Sequence, residues 1–346
     1  MKHKIQIFLQ FLFVGFILFC LLFHELIIYG ISQGKGQLAI VMNAEPIEEL
    51  INNEAINDSV QQKLSLILEI KQFAIDSLGI NPTDNYSTFY DQSKQNRLLT
   101  ISACEPFSFN PKEWTFPFLG TVSYKGFFNR QKAEKEILKL RSDNYDVDVY
   151  SPSGWSTLGW FKDPVLSGML RRNTGSLANL IIHELTHGTL YVKNNVTFNE
   201  NLANFIGDKG AERFLLFKFG KDSKEYRDYE QNKQDEKVYN EYILKSKDQL
   251  DSLYSSFSGD MSNEMKKEKK KALIREIALG VNKLPLNKPK NYFNYTLQAF
   301  YEGNAFFMAF DRYDSQYEVF EKEYTEQFHS NLSDYLHFLK SKYPSL

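Results

Sequence analysis

The sequence predicts an α+β chain, predominantly helical, behind an N-terminal transmembrane helix, and three observations carry that prediction. Ile5 to Tyr29 is almost wholly apolar, several later stretches place apolar residues at helical spacing, and short alternating segments lie between them. The chain has 346 residues, 42% of them hydrophobic and 24% charged, with a formal net charge of -2. That composition supports a sizeable core. It also excludes nucleic acid as a partner, because no broad positive face is available to meet phosphates.

The first unit, residues 1–30, reads as a membrane anchor. Its apolar run is broken mainly by Gln10 and the His24-Glu25 pair and follows Lys2 and Lys4. Nothing before Gly30 resembles a small-x-small cleavage site. Phe19 stands where a lipoprotein anchor at Cys20 would need a small residue. The positive-inside tendency puts the N-terminus in the cytoplasm and everything beyond about Gly30 outside it.

Residues 31–346 form the second unit. Ser59-Val60-Gln61-Gln62 has the form of a capping box, followed by Leu64, Ile67, Leu68, Ile75 and Leu78 at mostly helical spacing, until Gly79 and Pro82 stop the helix. Leu98 to Tyr124 holds three prolines and scattered aromatics and reads as short strands and loops. Arg130 to Arg141 is predicted helical, and Tyr145 to Tyr150 alternates as a strand does. A long helical segment is expected at about 222–280. Within it Tyr239, Ile243, Ser246, Leu250, Leu253 and Phe257 keep a four-three spacing suited to packing on the same domain. Lys266 to Lys271 reads as a solvated helix face. Tyr292 to Phe310 is expected to return to the core. Of the two cysteines, Cys20 lies in the apolar N-terminus and Cys104 is alone beyond it. A disulfide within the second unit is therefore excluded, and so is a cysteine-rich zinc site.

Against this background, His183-Glu184-Leu185-Thr186-His187 stands out. At 100° per residue the two histidines lie about 40° apart on a helix, one turn from each other, and Glu184 falls within about 100° of both. Two imidazoles can then hold one zinc ion while the carboxylate reaches its water. The motif follows Leu177, Leu180, Ile181 and Ile182, an apolar setting in which uncompensated imidazoles would be costly. His24-Glu25-Leu26 begins the same way but has no histidine at position 28.

Catalytic zinc usually has three protein ligands and an open position. Glu200, thirteen positions after His187, is the candidate third ligand, with Asp208 the main substitute. The competing local reading makes Thr197 to Glu200 a capping box. Asn199 and Asn204 flank the ligand as possible hydrogen-bond partners. One zinc per chain would lower the pKa of its water, and Glu184 would serve as general base. Tyr295, Tyr301 and His329 are candidate donors to the developing oxyanion.

With these residues in place, the chain resembles the predicted aminopeptidase family of bacterial membrane-associated zinc peptidases. The resemblance is carried by Tyr29 to Leu38, Trp114 to Pro117, Gly120, Tyr124 to Phe128, the string Ser156-Thr157-Leu158-Gly159-Trp160-Phe161 with Asp163-Pro164, the histidine helix, and Phe198-Asn199-Glu200. Thr115 and Trp155 depart from the family pattern, which is expected to have cysteine and tyrosine there. The resemblance implies a zincin-like metallopeptidase domain with glutamate as third ligand, peptide substrates, and aminopeptidase activity. Combined with the orientation above, it places the catalytic domain on the periplasmic side of a bacterial inner membrane. Ser156 to Phe161 is then the candidate edge strand for an extended peptide, with core packing of Trp160 and Phe161 as the alternative. Asp163 and Glu302 are candidate acids for a free amino terminus. Two other readings compete: a zinc endopeptidase using the same site, and a membrane-tethered scaffold with a structural metal.

Overall fold

The computed structural model describes residues 2–92, 98–116, 120–151, 162–193, 195–312 and 317–343. Two helices open the chain, α1 (Lys2–Leu22) and α2 (His24–Met42). The apolar run thus does not form one helix: it is interrupted at Phe23, whose backbone (φ -108°, ψ 18°) is not helical. Beyond the break, α2 carries Glu25, Gln33 and Lys35. Its Tyr29 hydroxyl and Gln33 amide both donate to the carbonyl of Gly126, at 2.8 and 2.9 Å.

Among the described residues no helix is long and apolar enough to cross a membrane. This corrects the expectation of a zincin-like domain behind a transmembrane helix at 1–30, and with it the membrane-anchored placement outside the cytoplasm. The physical reason lies in the break at Phe23 and in the second helix, which carries Glu25, Gln33 and Lys35 and docks on protein through Tyr29.

Then follow β1 (Glu45–Pro46), α3 (Ile47–Leu50), α4 (Asp58–Leu78), β2 (Thr88–Tyr90), β3 (Leu99–Cys104), β4 (Trp114–Phe116), β5 (Gly120–Val122), β6 (Tyr124–Phe127), α5 (Arg130–Ser142), β7 (Asp146–Tyr150) and β8 (Val165–Leu166). The strands make three small sheets. In one, β2 lies between an antiparallel β1 and a parallel β8; in another, β3 lies between β6 and β7, all antiparallel; β4 and β5 pair antiparallel. Helices dominate the rest: α6 (Thr174–His187), α7 (Val196–Phe219), α8 (Lys224–Ser255), α9 (Asn263–Val281), α10 (Pro289–Thr296), α11 (Ala299–Glu302), α12 (Asn304–Met308), α13 (Tyr317–Phe328) and α14 (Leu332–Lys342).

Side-chain caps set many of the helix starts, because a side-chain oxygen satisfies backbone donors that the first turn leaves free. Asn57, not Ser59, caps α4, accepting from the Ser59 N–H at 2.9 Å. Asn129, Asn173, Asn195, Ser223, Ser262 and Asn331 do the same for α5, α6, α7, α8, α9 and α14.

Three apolar clusters hold the elements together. The largest gathers α4, α6, α7, α13 and α14 around Leu64, Ile67, Leu177, Ile181, Phe205, Phe214 and Tyr335. A second joins the later part of α8 to α9 through Ile243, Leu250, Ile274 and Ile277, completed by Ala299, Phe306, Phe307 and Phe310. The third lies between α5 and the β6-β3-β7 sheet, around Ile101, Phe127, Leu140 and Val147. Lys270 departs from the solvated face expected of its run. It is buried, pairs with Asp146 of β7, and donates to the Pro106 carbonyl at 2.8 Å, tying α9 to the sheet.

Candidate metal centre

The apolar spacing of Leu177, Ile181 and Leu185 makes α6 a helix buried along most of its length. Its start is fixed by Asn173, whose side chain accepts from the Ser176 N–H at 2.8 Å. Near its end, the Thr186 and Thr189 hydroxyls donate to the carbonyls of Ile182 and Leu185, at 2.8 and 2.9 Å. The chain then turns back into α7, and Asn199 closes the turn by using both ends of its amide on Val192. It accepts from the Val192 N–H at 2.8 Å and donates to the Val192 carbonyl at 2.9 Å.

Glycine at 207 lets the two helices approach closely. A Cβ there would lie 3.0 Å from the Asn179 carbonyl oxygen and 3.1 Å from the His183 Cβ. Glu200 and Gly207 are seven residues apart, nearly two helical turns, so both face α6. With Gly207 opposite Asn179 and His183, the antiparallel register carries Glu200 to the histidines.

There the polar atoms converge. His183 Nε2 and His187 Nε2 are 3.1 Å apart, and the two Glu200 carboxylate oxygens lie 3.6 Å from the first and 3.5 Å from the second. A tetrahedral zinc site with bonds of about 2.0–2.1 Å has ligand–ligand edges of roughly 3.3 Å. The donor set thus fits one metal ion. His187 is buried and His183 nearly so, at 7% and 15% side-chain exposure, whereas Glu200 keeps 46%. One side of the triad therefore faces solvent.

Burial sets the electrostatics. It lowers the His187 pKa to about 4, helped by the neighbouring His183 and opposed by Glu200, which keeps the ring neutral as a ligand must be. Burial also raises the Glu184 carboxyl above its usual range; Glu200 and Asp163 add to this, and His183 and Arg172 oppose it. The His187 Nδ1 is buried with no hydrogen-bond partner among the described residues.

The structure separates the other sequence candidates. Glu200 is not a capping residue, because α7 begins after Asn195, whose side chain accepts from the Phe198 N–H at 3.2 Å. Asp208 is engaged two turns further along, accepting from the Tyr229 hydroxyl at 2.9 Å and paired with Lys233 at 3.0 Å. Asn199 serves the turn, and Asn204 bonds to neither imidazole among the described residues. Asp163 is fully buried, with its charge felt at Glu184. Glu302 instead lies near Asp148 and Arg141. Tyr295 is exposed and sets its ring against Phe306 of the second cluster, Tyr301 is 82% exposed, and His329 lies between α13 and α14. None of these three joins the triad. The Ser156 to Phe161 string and Trp155 lie outside the described residues.

Two residues near the triad were not foreseen. Tyr191 sets its ring edge-on to His187, with centroids 6.1 Å apart. Its position four residues past the motif was the available signal. Tyr86 is buried with a left-handed backbone (φ 59°), and its N–H donates to the Asp163 carbonyl at 2.6 Å. Burial first, then the charges of Glu184 and Asp163, push its phenol well above the usual range. No periodicity links Tyr86 to a motif nearly a hundred residues later.

Among known proteins, the family model described as "Putative aminopeptidase" matches residues 28–342. No curated protein and no solved structure matches.

Proposed function

Because the chain belongs to the family described as "Putative aminopeptidase", we propose that it is a zinc-dependent aminopeptidase with its chemistry in one domain, residues 31–346. His183, His187 and Glu200 would hold one zinc ion, and Glu184 would be the general base. The observation that carries the reading is the convergence of the three donors at 3.1 to 3.6 Å, one residue along the helix from a carboxylate whose pKa burial has raised.

When bound, zinc supplies a Lewis acid that polarises the scissile carbonyl and acidifies water. Glu184 takes the proton from the attacking water and delivers it to the departing amine, and a raised pKa suits a group that must do both. His187, neutral through burial, offers its Nε2 lone pair rather than a charge. Glu200, with almost half its side chain exposed, leaves an open approach on the solvent side. That openness favours catalysis over a structural metal, whose site is normally closed by four protein ligands.

Purified protein is expected to contain about one zinc per chain and to cleave peptides with a free amino terminus while rejecting blocked ones. Glu184→Gln should retain the metal and lose about a hundredfold or more of the hydrolysis rate. Wild-type activity in that variant would overturn the mechanism, and cleavage of blocked peptides would turn the reading toward an endopeptidase.

A further inference from the structure

Behind the triad, a buried chain of hydrogen bonds connects both metal-bearing helices to a third. Asn179 of α6 lies one turn before His183 and donates through its Nδ2 to the Tyr229 hydroxyl at 3.0 Å. That hydroxyl donates in turn to Asp208 Oδ1 at 2.9 Å. Tyr229 belongs to α8 and Asp208 to α7, so a single phenol oxygen spans two helices from the third. Both residues are buried, at 4% and 8% exposure. The second Asp208 oxygen is held by the Tyr317 hydroxyl and by Lys233, the latter at 3.0 Å.

The placement of this chain matters for the metal. Asp208 directly follows Gly207, the residue against which Asn179 and His183 pack. The Tyr229 ring also packs on Gly175, in the first turn of α6, where a Cβ would lie 2.5 Å from a ring carbon. The contacts at Gly207 hold α7 close to α6, but close packing alone leaves sliding along the helix axes weakly opposed. A directional bond from each helix to one shared oxygen opposes it.

We infer that Asn179, Tyr229 and Asp208 are positioning residues: their shared hydrogen bonds fix the α6–α7 register and so hold Glu200 at bonding distance from the two imidazoles. The inference rests on the zinc reading above and adds that the metal affinity is set in part by a phenol that touches no ligand. Supporting shells of metal sites typically alter affinity about 10- to 100-fold when removed.

The test uses full-length protein and zinc affinity measured by chelator competition, together with the visible spectrum of the cobalt(II)-substituted form, which reports ligand geometry. Tyr229→Phe removes both bonds and keeps the ring on Gly175; it should weaken zinc binding about tenfold and change the cobalt spectrum. Asn179→Ala, which breaks only the α6 end, should shift both readouts in the same direction by less, and it provides the measurement if Tyr229→Phe does not fold. Tyr239→Phe is the control, because it removes another buried phenol hydrogen bond, to Thr296 at 2.7 Å, in the second cluster. It should lower thermal stability with zinc affinity unchanged. Unchanged affinity in Tyr229→Phe and Asn179→Ala, beside loss of zinc in His187→Ala, would overturn the positioning role and leave the zinc site standing. An equal loss in Tyr239→Phe would also overturn it, since general softening would then explain the effect. Failure of wild-type protein to bind zinc would remove both readings.

Discussion

At the scale of single residues, the candidate site depends on a glycine as much as on the three donors it brings together. Gly207 has no side chain where the Asn179 carbonyl and the His183 Cβ press closest. Gly207→Val should therefore force α6 and α7 apart. Overpacking of this kind costs about 1–3 kcal/mol, to be read as a lower urea midpoint; an unchanged midpoint would show that the helices separate freely. The three residues that converge were legible in the sequence because their pattern is local. Two histidines one turn apart need only a helix, and the glutamate needs only the following one. Tyr86 was not legible, since it reaches the neighbourhood of Glu184 through its backbone contact with Asp163 rather than through spacing. Lys270 departs from the solvated face for a related reason: a charge run describes a chain's polarity, whereas Asp146 and the Pro106 carbonyl, both distant in sequence, determine which lysine is buried.

At the scale of elements, the packing of α11 on β7 brings Glu302 near Asp148. Burial raises the Asp148 pKa from 3.8 to about 6. Burial, and then the Asp148 charge, raises that of Glu302 from 4.5 to about 7, with Arg141 opposing. Between about pH 4 and 7 the folded chain thus holds protons that the unfolded chain has released, so these two groups make stability fall as pH rises through that window. Glu302→Gln should remove part of the slope, narrowing the difference in unfolding temperature between pH 5 and pH 8. A gap equal to that of wild type would mean that the pair does not govern the slope. Helix ends show how far local rules reach. The sequence placed a helix after residue 58 correctly but assigned its cap to Ser59, whereas Asn57 closes it. The capping pattern at Thr197 likewise lay inside a helix that Asn195 had already started. The break at Phe23 had no proline or glycine to announce it.

At the scale of the whole molecule, the three apolar clusters draw on distant parts of the chain: α4 meets α14, and α12 meets β7. Periodicity could identify these helices yet could not say which ones meet. The expectation of an anchor failed at this scale too, because hydropathy alone could not reveal that Tyr29 and Gln33 bond to Gly126, more than ninety residues away. The candidate metal centre is the exception to this long-range construction. All three donors fall between residues 183 and 200, on one helical hairpin tied at its turn by Asn199 and Val192. Closing so short a loop costs little chain entropy, and local helical contacts tend to form before distant strands pair. An order of assembly would follow: the hairpin could begin to gather the proposed ion before the distant elements pair, and α8 would then tighten the site through Tyr229. Zinc present during stopped-flow refolding should then raise the folding rate as well as slow unfolding, and an effect confined to unfolding would place the site's assembly after the main barrier.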